Sequence, residues 1–147
     1  MTKLLTAMQE HLEAAKYHLH CMEVEQHKQN RKRFLYELQA FQSSITAMLS
    51  TAKDYNKSIY KKQAMKLQHK AFFQAIKKKH IIERPIIEKI EIVNNNEMQT
   101  IYALKRNNKF DCRKGFYHKE RPDDSIIKLG SSYVQEVQQL AQKLSAK

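Results

Sequence analysis

"RKRFLYELQAFQSSITAMLSTAKDYN", residues Arg31 to Asn56, decides the fold class of this chain. Phe34, Leu38, Phe41, Ile45 and Met48 succeed one another at steps of three and four, and Leu35 and Leu49 widen the stripe. An α-helix turns once in about 3.6 residues, so this spacing lines up one apolar face. Polar side chains fill the other positions and can meet water. The segment predicts an amphipathic helix, which "STAKDYNKS" ends or kinks.

The same spacing appears upstream at Leu5, Met8, Leu12, Ala15, Leu19 and Met22, predicting a helix from Thr2 to about Gln26. A polar break, "EQHKQNRKR", separates the two. Two long amphipathic helices on a short polar link pack most simply as an antiparallel αα-hairpin. Downstream, Tyr60, Ala64, Leu67, Ala71 and Ile76 predict a third helix from about Ser58 to Lys79, with Phe72 and Phe73 in its second half. Pro85 stops helical continuation because it lacks the backbone donor.

In "IIEKIEIVNNNEMQTIYALKR" Ile87, Ile90, Ile92 and Val93 partly alternate with charges, Asn94 to Asn96 supply turn chemistry, and "MQTIYAL" is again β-prone. The stretch predicts a β-hairpin. The segment from Arg106 to Asp124 has no period, carries Gly115 and Pro122, and reads as a basic loop. A last helix starts near Ser125, with Asp123, Asp124 and Ser125 as cap candidates and Ile126, Leu129, Tyr133, Val137, Leu140 and Leu144 on one face. Two glycines and two prolines in 147 residues leave little turn chemistry for a strand-rich fold. The expectation is one mainly α domain over residues 1–147, an antiparallel helical bundle with one small β-hairpin insertion.

Lys and Arg number 27 against 15 Asp and Glu, a formal charge of +12. Such an excess favours polyanionic partners: RNA, DNA or an anionic membrane face. No run of about 18 apolar residues exists to span a membrane. The N-terminal stretch becomes charged too soon for a signal peptide, so the cytoplasm is expected. Cys21 and Cys112 match no metal or redox spacing, and reduced thiols are the default. His18 and Cys21 share a helix face, but no four-ligand set accompanies them, while His18 and His20 point apart; no metal and no cofactor are expected.

Two stretches carry candidate chemistry. "AIKKKHIIERP", Ala75 to Pro85, gathers Lys77, Lys78 and Lys79 at the end of the expected third helix, followed by His80 and Glu83. In the basic loop, "KRNNKFDCRKGFYHKER" interleaves Phe110, Phe116 and Tyr117 with cations, including Arg113 and Lys114. Aromatic faces among phosphate-binding cations suit single-stranded nucleic acid; the alternative is a solvated loop whose aromatics tuck onto the domain. Within it, "RKGFYH" offers Arg113 to steady a phosphorane and His118 to move protons, the parts of a metal-independent ribonuclease. Phe34, Phe41, Phe72 and Phe73, at helical spacing, are expected in the core rather than against bases.

The order of a basic start, an aromatic, "YELQAF", small residues and a second apolar stripe resembles the HEPN superfamily of small helical domains. The terminal "DDSIIKLGSSYVQEVQQLAQKL" fits the last helix of that plan. The resemblance covers most of the chain in layout, and in identity it centres on Arg33 to Asp54. It implies an α-bundle that forms a homodimer. In ribonuclease members an Arg, a polar residue, a few variable residues and a His build a site across the dimer; many other members lack that motif and serve as binding or partner modules. By position the motif would fall between Ala75 and Pro85. Lys77 and Lys78 stand where its Arg and polar residue would be, Glu83 where its His would be, and His80 lies closer than the usual spacing.

A lysine binds phosphate as a point charge without the bidentate fork of arginine. The motif is therefore degraded, and the leading expectation is a non-catalytic nucleic-acid-binding module, RNA before DNA. It would use Lys77, Lys78, Lys79, Arg113, Lys114 and Tyr117. A metal-independent endoribonuclease of a defence or toxin–antitoxin system, acting through Arg113 and His118, stays open. So does a protein-interaction module whose charge serves solubility or an acidic partner.

Overall fold

The computed structural model describes residues 2–64, 76–85, 87–94, 96–104 and 114–146. Helix α1 spans Thr2–His27 and α2 Arg31–Tyr55. They form the expected antiparallel hairpin, and their contact is the most extensive between any two described elements. His18 of α1 meets Glu37 of α2, Nδ1 to Oε2 at 2.8 Å, in register about the turn. The turn itself places Gln29 at φ 59°. Asn30 then caps α2: its side-chain oxygen accepts from the Arg33 N–H at 3.1 Å, a contact worth about 1 kcal/mol.

Asn56 serves two helices. Its N–H closes α2 on the Ala52 carbonyl, and its side-chain oxygen accepts from the Ile59 N–H at 3.1 Å to open α3, Lys57–Ala64. This is the break expected at "STAKDYNKS". The third helix does not run to Lys79. Residues 65–75, with Phe72 and Phe73, lie outside the described residues; Ile76 and Lys77 are non-helical, and Lys78–His80 form a single 3-10 turn. Strand β1, Ile81–Pro85, follows at once. Pairing of the β-branched Ile81 and Ile82 with a partner strand has overridden the helical propensity of the lysines. Pro85 ends an edge strand, where a missing donor is tolerated, rather than stopping a helix.

The expected hairpin is present as β2, Ile87–Asn94, and β3, Glu97–Leu104, paired from Ile87↔Leu104 to Asn94↔Glu97. Asn96 takes φ 64°, which asparagine tolerates. The basic loop expected over Arg106 to Asp124 is in part structured: β4, Lys114–His118, and β5, Arg121–Ser125, join β1 in a three-stranded antiparallel sheet of order β1-β4-β5. The β-content therefore exceeds one hairpin insertion, although the fold is mainly helical as expected.

β5 meets β4 only at Tyr117↔Ser125 and His118↔Arg121, across an irregularity. The rest of that edge is satisfied from the α1–α2 turn. The Gln29 carboxamide accepts from the Lys114 N–H at 3.2 Å and donates to the Lys114 carbonyl at 2.8 Å. Gln26 Oε1 accepts from the Phe116 N–H at 3.1 Å. Two glutamine side chains thus stand in for a missing strand along this edge.

The last helix, α4, spans Ile126–Ser145. Of the three cap candidates Ser125 takes the role, accepting from the Lys128 N–H at 3.0 Å, while Asp124 pairs with Lys128 Nζ at 3.4 Å. The expected face of α4 is buried in full: Ile126, Leu129, Tyr133, Val137, Leu140 and Leu144. Met8, Leu12, Ala15 and Met22 of α1 and Phe34, Leu38, Phe41, Ile45 and Met48 of α2 complete one core. Phe34 and Phe116 stack at 4.3 Å between centroids, tilted by 35°, and join the helices to the sheet. Among the described residues no helix is long and apolar enough to cross a membrane.

Burial of Tyr133 pushes its phenol well above the ordinary range, and Tyr60 and Glu136 add in the same direction. An unfolded tyrosine titrates near pH ~10. Above that the unfolded chain loses a proton that the native chain keeps, so the stability linked to the neutral phenol is complete below pH ~10 and drains away as pH rises. Urea midpoints are expected to fall between about pH 9 and pH 11, and to fall less steeply in Tyr133→Phe.

Candidate nucleic-acid interface

Arg31 opens α2, and its side chain leaves the helix toward the turn before β1. Nη2 donates to the Ile81 carbonyl at 2.9 Å and lies 3.5 Å from that of Lys78, while Nη1 stands 3.7 Å from Glu83 Oε1. Further along α2, Gln42 Nε2 donates to the Ile76 carbonyl at 3.4 Å. These two tethers hold residues 76–81 alongside the first half of α2.

Between the tethers lies a groove of about 670 Å³. Leu35, Leu38 and Ile76 give it an apolar floor, and Tyr36 and Gln39 stand on its α2 side. Arg31 and Lys32 line it from α2, Lys77 and Lys78 from the facing segment. An adjoining shallower depression of about 590 Å³ is lined by Arg31 and Lys77 to Lys79. All three lysines are exposed. Four cations at one groove raise a positive potential there that no single ammonium in water would give.

The two stretches singled out in the sequence lie on neighbouring strands. The β1–β4 register sets Ile81 opposite His118 and Glu83 opposite Phe116. The His80 and His118 rings meet edge to face, 5.4 Å between centroids and 60° apart. His118 is 4% exposed, and its Nδ1 accepts from the Glu120 N–H at 3.1 Å. An acceptor Nδ1 carries no proton, which places the ring proton on Nε2. His80 Nδ1 is buried without a hydrogen-bond partner among the described residues. Tyr117 is half-buried beneath the Arg84 guanidinium, 5.2 Å from its centroid. Lys114 is exposed at the far end of β4, its main chain held by Gln29. Arg113 lies outside the described residues.

Lys77, Lys78 and Lys79 thus share a site with residues that sequence reasoning had treated only as a basic helix start. Lys32, Tyr36 and Gln39 are spaced i, i+4, i+7 and so share one helix face beside the apolar seam. Lys32 Nζ sits 6.0 Å from the Tyr36 ring centroid, as that spacing implies. A cation and an aromatic repeated off the core face was the available signal. Among the described residues no group of three or more His, Cys, Asp or Glu could hold a metal ion, and Cys21 is a free thiol. Comparison of the chain with protein-family models, with curated proteins and with solved structures gives no match.

Proposed function

We propose that this chain is a non-catalytic nucleic-acid-binding module, RNA before DNA, that grips the phosphate backbone with the cations around the α2 groove. The observation that carries the reading is the convergence of Arg31, Lys32, Lys77 and Lys78 on one groove. The formal charge of +12 supplies the long-range attraction. Arg113, Lys114 and Tyr117 belong to the same proposal as further nucleic-acid contacts. The resemblance to HEPN domains adds a homodimer, which light scattering after gel filtration reads as twice the chain mass.

Binding is favoured over cleavage by the surroundings of the candidate acid–base groups. A general acid or base must come within hydrogen-bond reach of the reacting oxygen. His118 is nearly sealed in the core, and Glu83 faces Arg31.

Pure protein incubated with labelled single-stranded RNA in EDTA is expected to leave the RNA intact and to retard it on a gel. Retardation should fade with salt, with a log–log slope of about −0.7 for each phosphate contacted. Cleaved RNA would restore the endoribonuclease reading and direct mutation to His118, Arg113 and then Glu83. No retardation at moderate salt would leave the protein-interaction module, and a partner pull-down would follow.

A further inference from the structure

Phosphate contacts need only exposed cations, yet this groove has more than that. Its floor is apolar, from Leu35, Leu38 and Ile76, and its volume of about 670 Å³ exceeds what a phosphate fills. Tyr36 stands at its side with 59% of its surface exposed, on a helix where polar side chains would serve solubility better. An aromatic ring in water, beside an apolar floor and between two cationic walls, has the elements of a stacking platform.

We propose that the groove takes an unpaired nucleotide base against Tyr36 and the apolar floor, so that the chain prefers single-stranded to duplex nucleic acid. The inference rests on the nucleic-acid reading above. Charge complementarity selects this occupant. The base would lie between Lys32 on the α2 side and Lys77 and Lys78 on the other, and these lysines meet the phosphates flanking it. Gln39 adds a carboxamide that can both donate to and accept from a base edge. The Arg31 tether to Ile81 fixes the spacing of the two walls, and Arg31 acts chiefly as a positioning residue. In a duplex the base faces are stacked on one another and their pairing edges are occupied, so the floor would stay empty. Stacking tolerates any base, hence little sequence preference is expected.

The test uses a fluorescein-labelled single strand of about 12 nucleotides and a blunt duplex of equal length, titrated with wild type, Tyr36→Ala and Tyr36→Phe. Wild type is expected to bind the single strand at least ~10-fold tighter than the duplex. Tyr36→Ala should weaken single-strand binding by roughly 5- to 100-fold and leave duplex binding and the salt slope nearly unchanged. Tyr36→Phe should restore wild-type affinity, since the ring and not the hydroxyl stacks. Equal affinity for both nucleic acids, with Tyr36→Ala behaving as wild type, would overturn the stacking inference and leave phosphate binding intact. Binding of neither would overturn both; if sodium dodecanoate then saturated the protein, the groove would belong to an amphipathic anion instead. Because Tyr36 is exposed, Tyr36→Ala should melt within a few degrees of wild type by circular dichroism.

Discussion

Phe34→Ala is expected to lower the unfolding free energy by about 3–5 kcal/mol. Phe34 is wholly buried and is the α2 residue whose ring meets Phe116 of β4. Its removal forfeits transfer energy, leaves a cavity, and cuts the aromatic contact between the helical hairpin and the sheet. For a domain of this size the midpoint temperature should fall by roughly 10–15 °C, with an unchanged urea slope. A double-mutant cycle with Phe116→Leu should return a coupling of about 0.5–1.5 kcal/mol. Tyr36→Ala, one face away on the same helix, is the control, expected within about 0.5 kcal/mol of wild type. If Phe34→Ala cost less than about 1 kcal/mol, the joint between α2 and β4 would be wrongly placed.

The second large effect concerns the proposed binding function. Replacing Lys77 and Lys78 together by glutamate removes two phosphate contacts and sets two negative charges in their place. At about 0.1 M salt, counterion release is worth roughly 1 kcal/mol per contact on a single strand, so neutralisation alone would weaken binding about 25-fold. Charge reversal adds repulsion, and the loss should exceed ~100-fold while the log–log salt slope shrinks by about 1.4. Lys77→Ala with Lys78→Ala should give the smaller loss and nearly the same slope change. Both lysines are exposed, so folding should be unaffected, and thermal melts read this directly. Wild-type affinity in the glutamate variant would remove the α2 groove from the binding surface.

Helices α1, α2 and α4 were legible because their chemistry repeats locally, whereas the helix expected from Ser58 to Lys79 was drawn too long, Ile76 and Lys77 being non-helical. Phe34, Leu38 and Phe41 announce a buried face within three turns, and so do Leu129, Tyr133 and Val137 on α4. The β2–β3 hairpin was legible for the same reason, its two strands lying either side of an asparagine turn. The three-stranded sheet was not. Ile81 finds its partner in His118, far along the chain, and "RPDDS" reads as anti-strand, with a proline and two aspartates. It pairs because β4 offers an edge, which no local pattern records. The candidate site divides in the same way. Lys77 to Lys79 stood out as a run, but the groove exists only where Arg31 bonds to Lys78 and Ile81, 47 and 50 residues away in sequence.

The glutamine contacts on β4 also set an order of events in time. Gln29 reaches Lys114 across 85 residues and Gln26 reaches Phe116 across 90. The α1–α2 hairpin closes through near neighbours and can form within microseconds to milliseconds, whereas β4 must wait for a turn made almost a hundred positions earlier. On a ribosome the hairpin would be complete long before its strand partner emerged. Substitutions at the buried contacts between α1 and α2, such as Leu12 or Ile45, should therefore slow refolding, while those at Gln26, Gln29 and Phe116, whose partners form late, should chiefly hasten unfolding.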